Sequence, residues 1–156
     1  EGGVRVPAII SYPKSIRPNS RMSSLTSIMD IAPTLMTFAN VPMIQDYSMQ
    51  GRSAADALRE PNLAERGRDN LAMETYGNKA IWENDWKLLW SWETKKWELF
   101  NLQQDPGETN DLSMLYPARV ESMVQLFSEF AEENGVVVLD SEVGYARYAD
   151  QITSFN

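Results

Sequence analysis

Three carboxylates lie close together in the sequence, just after an aromatic-rich segment. Asp105, Glu108 and Asp111 offer oxygen ligands of the kind that Ca²⁺ prefers. Their spacing lacks the alternating ligands, internal Gly and distal Glu of an EF-hand loop. The sequence Asp105-Pro106-Gly107 explains the segment better, because Pro presets φ and Gly tolerates a positive φ. We therefore interpret this segment as a tight acidic turn that leads into a helix.

Five tryptophans suggest a second kind of chemistry, the stacking of flat rings against a carbohydrate. Trp90 and Trp92 fall on one face of a single strand pattern, so at least one of them could be accessible. The alternative is that most of the rings pack beneath a helix carrying Phe127 and Phe130, and we favour this interpretation. The tryptophans are Trp82, Trp86, Trp90, Trp92 and Trp97.

The composition excludes several functions. The chain has no Cys and no His, so it can form neither disulfides nor thiolate or imidazole sites. Its net charge is −8, from 14 basic and 22 acidic residues without a basic cluster, which argues against nucleic-acid and anionic-membrane partners. No apolar run approaches the ~20 residues of a membrane helix. Arg5 and Arg17 could contact an anion, but solvated or ion-paired arginines are the commoner case.

The second half of the chain is predicted to form a sheet and a helix. A period-two pattern with short connections predicts an antiparallel meander of four strands. A helix then runs from Pro117 to Asn134, with Gly135 closing it, and Val136 to Leu139 could add an edge strand. The fold class is thus α+β, with the helix covering one face of the sheet. The predicted strands are Leu71–Thr75, Lys79–Glu83, Trp86–Trp92 and Trp97–Leu102.

The first half is predicted to contain two short strands and two helices. Ala8–Ser11 resembles a buried parallel strand, and Ser24–Met29 is a second candidate. Asp30 is a candidate N-cap for a helix that ends near Asn40. A short helix follows at Ser53–Leu58. The charged stretch from Glu60 to Asp69 is the expected boundary, which gives domains 1–60 and 61–156. The apolar face of the first helix is expected to comprise Ile31, Leu35, Phe38 and Ala39.

Four blocks of the chain resemble sulfatases, the arylsulfatase-type sulfuric ester hydrolases of the alkaline-phosphatase-like superfamily, and they occur in the family's order. They begin near the N-terminus and continue to about residue 135. The blocks are Glu1-Gly2-Gly3-Val4-Arg5-Val6-Pro7, Asp30-Ile31-Ala32-Pro33-Thr34-Leu35, Gly51-Arg52-Ser53, and Asp85-Trp86-Lys87-Leu88 together with Glu98-Leu99-Phe100-Asn101-Leu102 and Asp105-Pro106-Gly107-Glu108.

The resemblance implies that this chain is the C-terminal part of an enzyme that hydrolyses sulfate esters to an alcohol or phenol plus sulfate. Residues 1–60 would be a strand–helix remnant of the α/β catalytic domain, and residues 61–156 the C-terminal subdomain. The family uses Ca²⁺ and a formylglycine made from Cys or Ser in a Cys/Ser-x-Pro-x-Arg motif, and this chain has no such motif. No catalytic or metal residue is therefore assigned here, and the isolated chain is predicted to be inactive.

The resemblance also implies partners and a location. The main partner would be the protein's own N-terminal catalytic domain, with a sulfate ester as substrate. The family suggests the periplasm or the cell exterior. Subdomain loops in the family can reach the rim of the active-site pocket, so Glu74, Tyr76 and Asn78 are candidate substrate-rim residues. The chain opens at Glu1 without Met, which indicates an internal start. An unpaired strand edge predicts that the fragment dimerises or swaps its N-terminal segment.

Two other functional classes are consistent with the same residues. The aromatic strands could belong to a stand-alone carbohydrate-binding module, or the chain could be a purely structural interaction domain. Both would carry no catalytic group, as here. A Lys before Glu1 and a Cys/Ser-x-Pro-x-Arg motif further upstream would favour the sulfatase interpretation over both alternatives.

Overall fold

A computed structural model describes residues 2–42, 49–60, 68–75 and 77–137. The chain divides into two compact units, Gly2–Leu71 and Ala72–Asn156. The first contains short helices joined by long loops, and the second holds most of the sheet and the long helix. The predicted boundary at residues 60 and 61 adjoins residues outside the described part, and the division into domains 1–60 and 61–156 stays a prediction.

The second unit contains the predicted meander. Strands β1 (Asn70–Thr75), β2 (Asn78–Glu83), β3 (Trp86–Ser91) and β4 (Lys96–Asn101) lie in the order β1-β2-β3-β4. Strand β3 pairs antiparallel with both β2 and β4. Every predicted strand is confirmed, with ends that differ by at most one residue. The strand ends are well predicted because the connections are too short to allow another register.

One helix covers the sheet. Helix α3 (Pro117–Glu133) begins with Pro at its first turn, where the missing N–H costs no hydrogen bond. It ends before Gly135, whose φ of 62° lies in the left-handed region that suits Gly. The apolar residues on one side of α3 pack on one face of the sheet. This is the face that carries Leu88 of β3. The buried core of this unit consists of Ala72, Ile81, Leu88, Leu99, Met123 and Phe127.

Register explains why Leu88 and Leu99 are the centre of this core. They face each other across β3 and β4, and Leu88 also faces Ile81 of β2. Both leucines are completely buried. Each buried leucine stabilises the fold by about 1.5–3 kcal/mol through the apolar area it removes from water. The sheet and α3 are therefore held together by one apolar layer.

The first unit contains two α-helices and, apart from the first two residues of β1, no strand among its described residues. Helix α1 (Ile31–Ala39) ends at Asn40, which adopts a left-handed φ of 54° as a C-cap, and α2 (Ala55–Arg59) confirms the second predicted helix. Ala8–Ser11 does not form the expected strand, because no described segment pairs with it. Ser24–Met29 is also not a strand. Its end enters a 3-10 helix (Ile28–Asp30) that Ser27 caps.

Asp30 is the N-cap residue of α1, as predicted, but its carboxylate makes no capping bond to α1. It accepts instead from the Ser27 amide at 2.8 Å, in the capping box of the preceding 3-10 helix. The apolar face of α1 is largely open, since Ile31 and Leu35 are each 54% exposed. The side chains that α1 buries are Pro33 and Thr34.

Two further predictions fall partly outside the described residues. Val136 and Val137 do not form a strand, and the rest of the proposed edge strand lies outside the described part, as does the tail from residue 138.

Within the described residues, no helix is long and apolar enough to cross a membrane.

Candidate functional site

The acidic segment after β4 is a self-contained turn. The Asp105 carboxylate accepts hydrogen bonds from the backbone amides of Thr109 at 2.8 Å and Asn110 at 2.9 Å, and from the Thr109 hydroxyl at 3.1 Å. These donors, with the Asn110 amide foremost, hold the pKa of Asp105 below its usual value. The turn was predicted, but its left-handed residue was not. Glu108 has a φ of 55°, and Gly107 does not have a positive φ.

Asp111 joins this turn to the sheet. Its Oδ1 accepts from the Leu99 amide of β4 at 3.0 Å and from the Ser113 amide at 2.8 Å. Burial alone would raise the pKa of Asp111, but these hydrogen bonds outweigh it and lower the pKa. Both oxygen atoms of the carboxylate are used within the fold, because Oδ2 accepts from the Ser113 hydroxyl at 2.9 Å.

The third carboxylate of the segment binds a lysine instead of backbone amides. Both oxygens of Glu108 accept from Lys87 Nζ, at 2.8 and 2.9 Å. The Lys87 side chain is 7% exposed, and its ammonium lies 5.2 Å from the centre of the Trp82 ring. Burial favours a raised pKa for Glu108, yet the hydrogen bond and charge of Lys87 contribute to a pKa below the usual value. Across the described ranges, no three acidic side chains are grouped so as to hold a metal ion.

The tryptophans do not form a flat platform. Trp82 is buried, and Trp86 and Trp97 pack against the core of the second unit. Trp90 and Trp97 contact each other with ring centres 5.4 Å apart and planes inclined by 59°. Trp97 in turn meets the edge of Phe127. This geometry agrees with the interpretation that most of the rings pack beneath α3.

An open groove lies where these rings meet α3. We call it the aromatic groove, and its volume is about 430 Å³. Lys79 lies within it, with its ammonium 5.6 Å from the Trp90 ring centre and 5.7 Å from that of Phe127. Its main lining residues are Lys79, Trp90, Trp97, Val124, Phe127 and Ala131.

Two of the three candidate rim residues shape the β1–β2 turn, and the third, Tyr76, lies outside the described residues. The Glu74 carboxylate accepts from the Gly77 amide at 2.7 Å, so it stabilises the turn. Asn78 Oδ1 accepts from the Trp92 amide at 3.0 Å. Gly77 is required here, because its φ is 83° and a Cβ would lie 2.4 Å from the Trp92 ring. The turn therefore brings Glu74 and Asn78 together at one end of the sheet.

Arg5 and Arg17, the candidate anion contacts, are exposed and belong to the loops of the first unit. The structure gives neither of them a built anion site among the described residues. The first unit instead contains an ion pair that the sequence did not reveal. Arg68 donates from Nε to Asp30 Oδ2 at 2.9 Å and from Nη2 to Asp30 Oδ1. The two residues are separated by 38 positions, so no local pattern could have indicated this pair.

The Asp30–Arg68 pair organises three segments of the first unit. Asp30 also accepts from the amide of Arg52 at 2.7 Å, and Arg68 donates to the carbonyl of Gln50 at 3.1 Å. Burial would raise the pKa of Asp30, but its hydrogen bonds from Arg68, Arg52 and Ser27 outweigh burial and lower the pKa. Both side chains are almost fully buried.

The second unit is a four-stranded antiparallel sheet under one long helix. This fold matches the C-terminal subdomain of sulfatases. The chain belongs to the N-sulphoglucosamine sulphohydrolase C-terminal family, whose model matches residues 1–133. The sulfatase resemblance of the sequence blocks is thereby confirmed.

Relatives and solved structures support the same assignment. An uncharacterized sulfatase of Schizosaccharomyces pombe is 30% identical over 88% of this chain. The N-acetylglucosamine-6-O-sulfatase of Bacteroides thetaiotaomicron is 29% identical over 80% of it. The solved complex of BT4656 with its substrate, D-glucosamine-2-N,6-O-disulfate, superposes with a TM-score of 0.68 at 25% identity, covering 86% of this chain and 29% of that one. The chain spans only about a quarter of the two curated relatives, 26% and 24%.

Proposed function

We propose that the whole protein hydrolyses sulfate esters to an alcohol or phenol plus sulfate, and that this chain supports the catalytic domain and shapes one side of its cleft. The observation that carries the proposal is the open apolar surface of the first unit. Ile9 is 98% exposed and Ile28 is 83% exposed, in addition to the half-exposed Ile31 and Leu35 of α1. Large apolar side chains exposed in this number are typical of a surface that another domain covers. A catalytic domain, as in the much longer relatives, supplies one.

The cofactors belong to that catalytic portion. A formylglycine needs a Cys or Ser within Cys/Ser-x-Pro-x-Arg, and this sequence has no such motif. The three carboxylates considered for Ca²⁺ are bound to backbone amides or to Lys87. The residues present do not fit either group. We therefore place both the nucleophile and the Ca²⁺ outside this chain, and we assign no catalytic step to its residues.

The first prediction separates the whole enzyme from this chain. The product of the whole reading frame, co-expressed with a formylglycine-generating enzyme, is expected to hydrolyse p-nitrophenyl sulfate or glucosamine 6-sulfate in the presence of Ca²⁺. The 156-residue chain alone is expected to give no turnover above the uncatalysed rate, because a positioned nucleophile and a metal are both needed. Sulfate release measures both. Turnover by the chain alone would contradict the proposal.

The second prediction concerns the substrate rim. We propose that the β1–β2 turn, with Tyr76 and Asn78, contacts the part of a sulfated saccharide that lies away from the sulfate. In the whole enzyme, Tyr76→Ala and Asn78→Ala are expected to raise KM for a sulfated saccharide by about tenfold each, which corresponds to ~1.4 kcal/mol of binding. Hydrolysis of p-nitrophenyl sulfate should not change, because its aglycone is too small to reach the rim.

Gln103→Ala supplies the matched control for the rim. Gln103 is exposed in the turn after β4, at the opposite end of the sheet from the β1–β2 turn, and the change should leave both substrates unaffected. Equal effects of Asn78→Ala on both substrates would indicate a general loss of folding. Unchanged KM values for the saccharide in both rim variants would exclude the rim proposal.

Dimerisation or domain swapping of the fragment was predicted from an unpaired strand at Ala8–Ser11. These residues form no strand, so a strand edge does not support the prediction. The exposed apolar residues still favour self-association at high concentration, and sedimentation of the isolated chain measures it.

A further inference from the structure

The aromatic groove is an apolar channel with a single charge. Val124, Phe127, Ser128 and Ala131 lie on one stripe of α3, because they are spaced by three, four and seven positions. Trp90 and Trp97 form the opposite wall. Within the described residues, Lys79 makes ring contacts but no ion pair. The occupant that fits this groove is apolar, aromatic and weakly acidic.

The chain leaves α3 beside this groove. Gly135 reverses the backbone direction through its left-handed φ, and the Val136 amide donates to the carbonyl of Ala131 at 2.9 Å. Ala131 is itself a lining residue of the groove. Val136, near the end of the described residues, therefore lies next to a residue that lines the groove.

The sequence of that segment matches the groove. Residues 138–156 carry three acidic side chains and one basic side chain, a net charge of −2, which complements Lys79. Nineteen residues can span roughly 60 Å when extended, whereas the groove stripe from Val124 to Ala131 covers only ~10 Å of helix. Length therefore does not limit docking. The apolar side chains suited to the groove are Tyr145, Tyr148, Ile152 and Phe155.

We propose that the C-terminal tail, residues 138–156, folds back and fills the aromatic groove, with one of its carboxylates pairing with Lys79. The tail thereby covers Trp90, Trp97 and Phe127, and the helix–sheet unit closes its own apolar surface. This inference concerns the second unit alone and does not depend on the proposed enzymatic activity.

The test uses the 156-residue chain labelled with 5-fluorotryptophan. Among its five ¹⁹F resonances, those of Trp86, Trp90 and Trp97 are assigned with Trp→Phe variants at each position. Serine substitutions at Tyr145, Tyr148, Ile152 and Phe155 together are expected to shift the Trp90 and Trp97 resonances and to leave that of Trp86, which packs against Tyr116, unchanged. The control variant, with Ser141→Ala and Thr153→Ala, should not shift them. Unchanged Trp90 and Trp97 resonances in the serine variant would overturn the proposal.

Two other occupants give different results in the same experiment. Addition of glucosamine 6-sulfate should not move the Trp90 and Trp97 resonances if the tail fills the groove. A response to the saccharide without a response to the serine variant would assign the groove to a sugar and overturn the proposal. Resonances that depend on protein concentration, again without a response to the serine variant, would assign it to a second copy of the chain.

A cross-linking measurement decides the matter if the serine variant does not fold. The chain contains no Cys, so two introduced cysteines form a single defined pair. Ser128→Cys in the groove and Ser122→Cys on the opposite face of α3 are both exposed. Each is combined with Ser141→Cys or Ser154→Cys. Docking is expected to make oxidation about tenfold faster for at least one Ser128→Cys pair than for its Ser122→Cys counterpart. Equal rates for all pairs would overturn the proposal.

Discussion

Replacing Asp30 with alanine is expected to lower the free energy of unfolding by about 3–5 kcal/mol, because the variant leaves Arg68 buried without a counter-charge. The Asp30 and Arg68 side chains are 5% and 11% exposed. The change also removes the acceptor for the amides of Ser27 and Arg52. The 3-10 helix, the loop before α2 and the segment at residue 68 all lose a shared anchor. Urea unfolding followed by far-ultraviolet circular dichroism measures the loss.

Asp56→Ala is the matched control for this prediction. Asp56 pairs with Arg59 in the same unit, but their side chains are 66% and 38% exposed. An exposed pair at this spacing contributes roughly 0.3–0.5 kcal/mol. The same chemical change should therefore cost far less at Asp56 than at Asp30. Equal losses in the two variants would show that the burial of the Asp30 pair has no energetic consequence.

The same pair predicts a dependence on pH. The pKa of Asp30 is lowered in the folded state, so its stabilisation is complete above the unfolded pKa of about 3.9. The stabilisation is lost as the pH falls through the lower, folded-state pKa. Asp30→Asn should thus unfold with a shallower acid dependence than the original chain. The remaining dependence comes from other carboxylates with lowered pKa values, such as Asp111. Identical slopes would contradict this account.

The sequence predicted the second unit well because its structure is decided locally. Alternating side chains and connections of only two or four residues leave little choice of register in the meander. At Asn84 and Lys95 the turns use positive φ values of 53° and 52°, which fit such connections. Even here, the turn after β4 places its left-handed residue at Glu108 rather than Gly107. The geometry of this turn follows from the hydrogen bonds that the amides of Thr109 and Asn110 donate to the Asp105 carboxylate. Turn propensities do not predict these bonds.

The first unit was predicted less well because its partners are distant. Ser24–Met29 has strand propensity, but Ser27 and Asp30 form a reciprocal cap that stabilises a helical turn instead. The sequence predicted Asp30 at the start of a helix. It did not predict that the Asp30 carboxylate pairs with Arg68, which is 38 positions away. Propensity and periodicity contain no information on such contacts. The open faces at Ile31 and Leu35 are consistent with a unit whose remaining partners lie in the longer protein.

Replacing Lys87 with methionine is expected to lower the free energy of unfolding by about 1.5–3 kcal/mol, because Glu108 then loses the charge-assisted hydrogen bonds from Lys87 to both of its oxygens. The Glu108 side chain is only 14% exposed, so water compensates poorly. Methionine can still pack against Trp82, so the loss reports on charge more than on volume. Lys95→Met is the control. Lys95 also lies over a tryptophan, but it is exposed, and the expected loss is roughly 0.5–1 kcal/mol.

The double variant Lys87→Met/Glu108→Gln decides whether the pair itself is responsible. Removing both charges should recover most of the loss, because a neutral pair of similar size is often as stable as a buried ion pair. In Lys87→Met alone, the pKa of Glu108 should rise from its lowered value, since burial then acts with less opposition. Tryptophan fluorescence during urea unfolding and a carbon NMR titration measure the two effects. Strictly additive losses, with no rise in that pKa, would show that Lys87 and Glu108 are not coupled.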